Sequence, residues 1–240
     1  MHPFRSGLGI FDSAIAAAYR VGQTPPPYVQ RDVDPWLDEA LATNTFVLVT
    51  GSSDAGKSRT AFAAAARMEP EPLLLVPASP RALPDLLASE AVVEDGRPAV
   101  LWLDELARYL TVPGVRPALF EGVRAKATGQ AVVVLATLNL TDHDALLGAP
   151  GEIGRSMREI LGSAFEVTVP SEMSPAERER AASLYPGQEF GTGIGQHFAS
   201  TSAVINRFSE YLREDPHTAS VVAAALDWRR AGAPRPVSED

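Results

Sequence analysis

Gly51-Ser-Ser-Asp-Ala-Gly56-Lys57-Ser58 follows directly on the apolar run Phe46 to Thr50. Together they read as a strand entering G-x-x-x-x-G-K-S, the phosphate-binding P-loop pattern. Gly51 and Gly56 permit a tight loop whose backbone N–H groups curl around phosphate oxygens. Lys57 brings an ammonium between the β- and γ-phosphates, and the Ser58 hydroxyl is a ligand for Mg²⁺. A helix starting near Lys57 aims its positive dipole end at the same anion. The nucleotide-binding set is therefore Gly51, Ser52, Ser53, Asp54, Ala55, Gly56, Lys57, Ser58 and Arg59.

A second chemical element is Ala99-Val-Leu-Trp-Leu-Asp104-Glu105, an apolar strand ending in two acids. It reads as a Walker B element. Asp104 would hold Mg²⁺ through water, and Glu105 would orient and deprotonate an attacking water. A small-molecule kinase must exclude water and has no use for a water-activating carboxylate there. A third strand, Ala131 to Thr137, ends in Thr137-Leu-Asn139, where a γ-phosphate sensor would sit. Either Thr137 or Asn139 fits that role, and position at the strand end favours Thr137. Trp102 alternates into the sheet and reads as packing.

With these three motifs in order, residues 30–215 resemble the additional-strand catalytic-glutamate P-loop ATPases, which include the AAA+ ATPases and the STAND signalling NTPases. The resemblance implies a three-layer α/β/α P-loop NTPase with a five-stranded parallel sheet of order 5-1-4-3-2 and a small C-terminal helical lid. It implies an ATPase, slow as an isolated monomer, with ATP as substrate and Mg²⁺ as cofactor; ATP is preferred to GTP on the resemblance alone. Many AAA+ proteins read Ala-Thr-Asn at the sensor, whereas this chain reads Ala136-Thr-Leu-Asn139. Arg31-Asp-Val-Asp34, a short helix, the P-loop and Arg59 look more like the STAND branch. In that branch the segment before the P-loop covers the adenine, so Tyr28, Val29 and Val33 are candidate base contacts; simple packing explains them as well. AAA+ proteins also place an arginine finger after the sensor strand. Arg155 and Arg158 share one helical face there, opposite Ile153, Met157, Ile160 and Leu161. A solvated polar face accounts for both arginines equally well. Arg207 is a candidate second sensor, against the plainer reading of a surface arginine.

The elements that must position these groups alternate along the chain. Strands are expected at 46–50, 73–76, 99–104, 131–137 and 165–169, with helices near 57–67, 81–90, 115–127, 152–162 and 174–185. Alternation of this kind implies right-handed crossovers and a largely parallel sheet. Asp34-Pro35 suits a helix N-cap with proline at the first helical position, and Ser174-Pro-Ala-Glu177 is a capping box. Residues 1–40 form a lead-in with an amphipathic stretch from Ile10 to Val21. Residues 41–186 form the NTPase core. A helical lid follows over 187–232, with a glycine-rich hinge at 187–195 and helices near 202–213 and 216–230, and 233–240 is a tail.

Composition narrows the function classes. The 240 residues carry a net charge of −9, are 45% hydrophobic and include no cysteine. Disulfides and thiolate metal sites are therefore excluded. His2, His143, His197 and His217 are too scattered for metal-ligand spacing. The acidic balance weighs against a general affinity for nucleic acid, and so against an AAA+ loader or initiator acting on DNA. No transmembrane span or signal peptide is evident, so a cytoplasmic protein is expected. The reading is a nucleotide-dependent conformational or oligomerisation switch in signalling. Its partners would be ATP/ADP, further copies of the chain, and effector or sensor domains outside this length. A non-hydrolysing nucleotide-binding scaffold is the alternative, and the Asp104-Glu105 pair argues against it.

Overall fold

The computed structural model describes residues 27–70, 72–77, 79–88, 98–112, 115–126, 132–191 and 193–198. The chain divides into two compact units, Met1–Ile194 and Gly195–Asp240. The sheet and its helices belong to the first. The amphipathic stretch at 10–21, the helices near 202–213 and 216–230, the tail and Arg207 lie outside the described residues.

Five parallel strands form the sheet: β1 (Phe46–Gly51), β2 (Leu73–Leu75), β3 (Ala99–Leu103), β4 (Val132–Asn139) and β5 (Phe165–Thr168). Their order is β2-β3-β4-β1-β5, which read from the other edge is the expected 5-1-4-3-2. Both β1 and β3 are buried along their whole length. That is why they read as unbroken apolar runs, since helices cover both faces of the sheet. Side chains alternate between two cores. Phe46, Leu48, Leu101, Leu103, Val134 and Ala136 face one, and Val47, Val49, Val100, Trp102, Val133 and Leu135 face the other.

The second core is closed by α1 (Asp34–Thr43) and α2 (Lys57–Arg67). Buried Ala61, Ala64 and Ala65 recur at helical spacing and let α2 lie close on the strands. Trp102 belongs to this core at 1% exposure, edge-on to Phe62; among the described residues its Nε1–H has no hydrogen-bond partner. The first core is closed by α3 (Leu83–Ala88, entered through a 3₁₀ turn at Pro80–Ala82), α4 (Ala107–Leu110), α5 (Pro117–Lys126) and α7 (Gly151–Gly162). Phe120 of α5 stacks on Phe46 with ring centres 5.3 Å apart. Two further helices are α6 (Leu140–Gly148) and α8 (Pro175–Leu184). The capping box of α8 is formed as expected, with Ser174 and Glu177 each accepting from the other's backbone N–H.

Three local expectations need correction. Asp34 is not the N-cap of α1; Val33 holds that position, and Asp34 is a buried helical residue. Its carboxylate accepts instead from Tyr28 Oη and from the Arg31 backbone N–H. Helices α4 and α6 were not expected: α4 is a single turn, and α6 buries no residue fully, so neither shows apolar periodicity. Ile153 is 70% exposed rather than part of the apolar face of α7. The buried stripe runs through Gly154, Met157, Ile160 and Leu161. Gly154 belongs to it because a Cβ there would lie 1.8 Å from the Ala149 carbonyl oxygen.

Two of the glycines of α7, Gly154 and Gly162, should therefore respond in opposite directions. Gly154→Ala forces overpacking against backbone and is expected to cost about 1–3 kcal/mol. Gly162→Ala meets nothing within 4 Å and is expected to add roughly 0.4–1 kcal/mol. Urea unfolding of both variants against the parent checks the pair.

Candidate functional site

The register of three strands assembles the site. Gly51 at the end of β1 pairs with Asn139 at the end of β4. Leu103 at the end of β3 pairs with Ala136. Parallel pairing thus brings the phosphate loop, the Asp104-Glu105 pair and the Thr137–Asn139 segment to one sheet edge, the C-terminal edge where α/β folds bind ligands.

The loop itself needs unusual backbone. Gly56 has φ +88° and is the N-cap of α2. Asp54 sits at φ +60°, a conformation that aspartate tolerates better than most residues. Gly51 is required by close approach, because a Cβ there would lie 2.8 Å from the Val169 carbonyl oxygen. Ala55, within the loop, is fully buried. Lys57 turns back over it, Nζ donating to the Ser52 carbonyl at 2.7 Å. Burial holds the Lys57 ammonium below the usual lysine range, opposed by attraction to Asp104, Asp54, Glu105 and Asp142.

Asp104 is the hub. Its Oδ1 accepts from Ser58 Oγ at 2.6 Å and from Thr137 Oγ1 at 2.6 Å. Thr137 Oγ1 in turn accepts from the Glu105 backbone N–H at 2.9 Å. That bond fixes Glu105 in a left-handed conformation, φ +56°, which is rare outside glycine and asparagine-like residues. The Glu105 side chain projects into solvent at 70% exposure, with Arg108 Nη1 3.5 Å from its carboxylate. A strained, exposed carboxylate thus stands beside a half-buried one whose Oδ1 accepts two hydroxyls.

Sensor candidates Thr137 and Asn139 have different surroundings. Thr137 is 1% exposed, and its hydroxyl is engaged by Asp104 and Glu105. Asn139 faces the loop: Nδ2 donates to Ser53 Oγ at 2.8 Å, while Oδ1 caps α6 through the Thr141 N–H. The arginines also differ. Arg158 Nη1 donates to the carbonyls of Leu147 and Ala149, both at 2.9 Å, so it closes the C-terminus of α6. Arg155 is exposed, and among the described residues it makes no hydrogen bond or ion pair.

Of the candidate base contacts, Val29 is buried and Val33 is half-buried against the α1–α2 core. Tyr28 is enclosed by charge. Its hydroxyl donates to Asp34 at 2.7 Å, and the guanidinium groups of Arg59 and Arg67 lie 5.5 and 6.0 Å from its ring centre. Burial pushes the phenol above the usual tyrosine range. One residue of evident importance was missed as a site group. Arg31 is 2% exposed and donates Nη1 to the carbonyl of Ala55, inside the phosphate loop. Its neighbours in sequence gave no signal, because all its side-chain partners are distant in the chain.

The donor set suits Mg²⁺. Ser58 and Asp104 offer hard oxygens beside the loop, and among the described residues no cluster of three or more acidic or histidine side chains forms a closed cage. Magnesium is commonly held this way, by one or two protein oxygens plus phosphates and water.

No protein-family profile matches the chain. A Nitrobacter hamburgensis protein with the provisional name thymidine phosphorylase is 30% identical over 125 residues, 49% of this chain; the chain spans 23% of that protein's length. Among solved structures, AMPPCP-bound DnaA from Aquifex aeolicus is 13% identical at TM-score 0.42, covering 85% of this chain and 71% of that one. A structure of katanin, concerned with its self-assembly, is 17% identical at TM-score 0.42, covering 79% and 71%. Likenesses this distant carry no argument about chemistry, which rests on the residues themselves.

Two substitutions test the geometry. Thr137→Val keeps the shape but strips a donor from Asp104 and an acceptor from the Glu105 N–H. It is expected to cost about 1–3 kcal/mol in chemical denaturation. Lys57→Met removes a cation whose folded pKa is depressed. That penalty is fully present below the depressed value and vanishes as pH rises past 10.5, so the variant's melting temperature relative to the parent's should be highest near neutral pH and fall as pH approaches 10.5.

Proposed function

We propose that this chain is an ATP-binding and ATP-hydrolysing module of the AAA+/STAND kind, working as a nucleotide-dependent conformational or oligomerisation switch. The observation that carries the reading is the Ser58–Asp104 contact at 2.6 Å at the start of α2, with the Glu105 side chain 70% exposed beside it. A bare phosphate site would need the loop and the helix end alone. It would not need a second acid aimed into solvent.

In this reading the loop N–H groups and Lys57 bind and orient the triphosphate. Ser58 and Asp104 would hold Mg²⁺, whose charge would offset that of the phosphates. Asn139, anchored to Ser53 at the loop, is the better placed of the two sensor candidates, and Thr137 acts as a bracket for the acidic pair. Glu105 takes a proton from the attacking water, and its strained backbone keeps the carboxylate at the reacting side. Arg155 is the arginine that remains available to a neighbouring copy, whereas Arg158 is engaged in holding α6. Arg59 of α2 and Tyr28, 5.5 Å from guanidinium carbon to ring centre, are the pair this reading sets beside the purine.

The switch role draws on the expected lid over 187–232, on further copies of the chain and on effector or sensor domains beyond it. A cytoplasmic setting belongs to the same reading. Among the described residues no helix is long and apolar enough to cross a membrane. The net charge of −9 disfavours nucleic acid as the partner.

Glu105→Gln is the direct test. It should bind ATP as the parent does and lose about 10²–10⁴-fold in hydrolysis, the usual share of a general base. Phosphate release at the parental rate would remove Glu105 from the reaction.

A further inference from the structure

Behind the phosphate loop lies a buried ion pair that the hydrolytic site does not use. Arg31 and Glu177 are 2% and 3% exposed, with Nε donating to Oε1 at 2.9 Å. The same guanidinium donates Nη1 to the Ala55 carbonyl at 3.1 Å and Nη2 to the Pro170 carbonyl at 2.7 Å. One planar group therefore ties three segments: the phosphate loop, the chain leaving β5, and α8. Glu177 is equally committed, since its two oxygens also accept the backbone N–H groups of Asp32 at 2.8 Å and Ser174 at 3.2 Å. Around this buried knot α8 is fastened from the exposed side as well. Arg180 donates Nε to the Gln30 carbonyl at 2.8 Å and pairs with Asp32, while Ser174 Oγ bonds the same carboxylate.

The contact with Ala55 has a geometric consequence. A trans peptide is planar, so its C=O and the following N–H point in opposite directions. Holding the Ala55 carbonyl toward Arg31 turns the Gly56 N–H away from it, and Gly56 is the N-cap of α2 with φ +88°. Without the guanidinium, that peptide is free to rotate and the N–H loses its aim. Glycine on one side of the bond makes such a rotation easy.

We propose that Arg31 is a positioning residue for the phosphate loop, locking the Ala55–Gly56 peptide, and that through Glu177 it couples the loop to the docking of α8. Because coupling is reciprocal, an anion seated on the loop steadies α8, and α8 held in place tightens the loop's grip. Lysine cannot replace the arginine, because its single ammonium cannot reach three acceptors spread across a planar fork. The proposal takes its ligand from the triphosphate reading, but the bracket itself is measurable without any ligand.

Amide hydrogen exchange is the experiment, on the parent, Arg31→Lys and Glu177→Gln, followed by titration with Mg·ATPγS. In the ligand-free proteins, both variants should speed exchange of the loop amide of Ala55, whose N–H donates to the Ser52 carbonyl, as well as the amides of α8, by about 5–150-fold, the usual span of intramolecular coupling. Affinity for Mg·ATPγS should weaken within the same span at temperatures where the variants remain folded, with KM rising more than kcat falls. Arg180→Ala loosens α8 from its exposed side and should speed loop exchange more mildly; it serves if the buried variants do not fold. Faster exchange in α8 with an unchanged loop overturns the proposal, as does parental affinity in a folded Arg31→Lys protein. If the parent itself binds no nucleotide, the triphosphate reading fails, and loop exchange alone then decides the bracket.

Discussion

One carboxylate oxygen gathers the site. Asp104 Oδ1 receives hydroxyls from Ser58 on α2 and Thr137 on β4, so three separate segments converge on a single acceptor. Hydrogen bonds to an ionised acceptor are short and roughly twice as strong as neutral ones. Convergence of this kind demands that β3 and β4 pair in one register only, because a one-residue slip would send Thr137 to the opposite face. The apolar alternation along both strands enforces that register from the two cores. Packing and chemistry thus depend on the same alignment.

Strain is placed where reaction is proposed. Among the described residues, the non-glycine positions with positive φ are Asp54 and Glu105, and both belong to the site. Each is held by neighbours that over-determine it. The Glu105 N–H is fixed by Thr137, while the loop around Asp54 is anchored by Lys57 to Ser52 and by Arg31 to Ala55. Such positions persist only when the surroundings enforce them, and they concentrate where function requires them.

Sequence reasoning reached what is local. The loop, α2, the acidic strand end and the capping box of α8 are each specified by neighbouring residues, and each stands where expected. Even the strand order follows, because it came with the resemblance those motifs carry. What escaped were properties that arise between segments. The engagement of Thr137 depends on register. The capture of Arg158 depends on α6, whose nine residues bury none of their number fully and so show no apolar stripe. Arg31 and Glu177 stand 146 positions apart, and no spacing rule links such a pair. A charged pair that deep is also not what composition leads one to expect, since isolated charges avoid interiors unless paired and bonded.

The proposed function turns on whether a magnesium-bound triphosphate is what the Gly51–Ser58 loop holds. Calorimetric titration of the parent with Mg·ATP at two temperatures measures this most directly, because a heat invisible at one temperature appears at the other when the heat-capacity change is nonzero. One site per chain is predicted, with affinity of about 1 µM–1 mM as is usual for such substrates. Well-folded protein giving no heat at either temperature, with ATP or GTP, would contradict it.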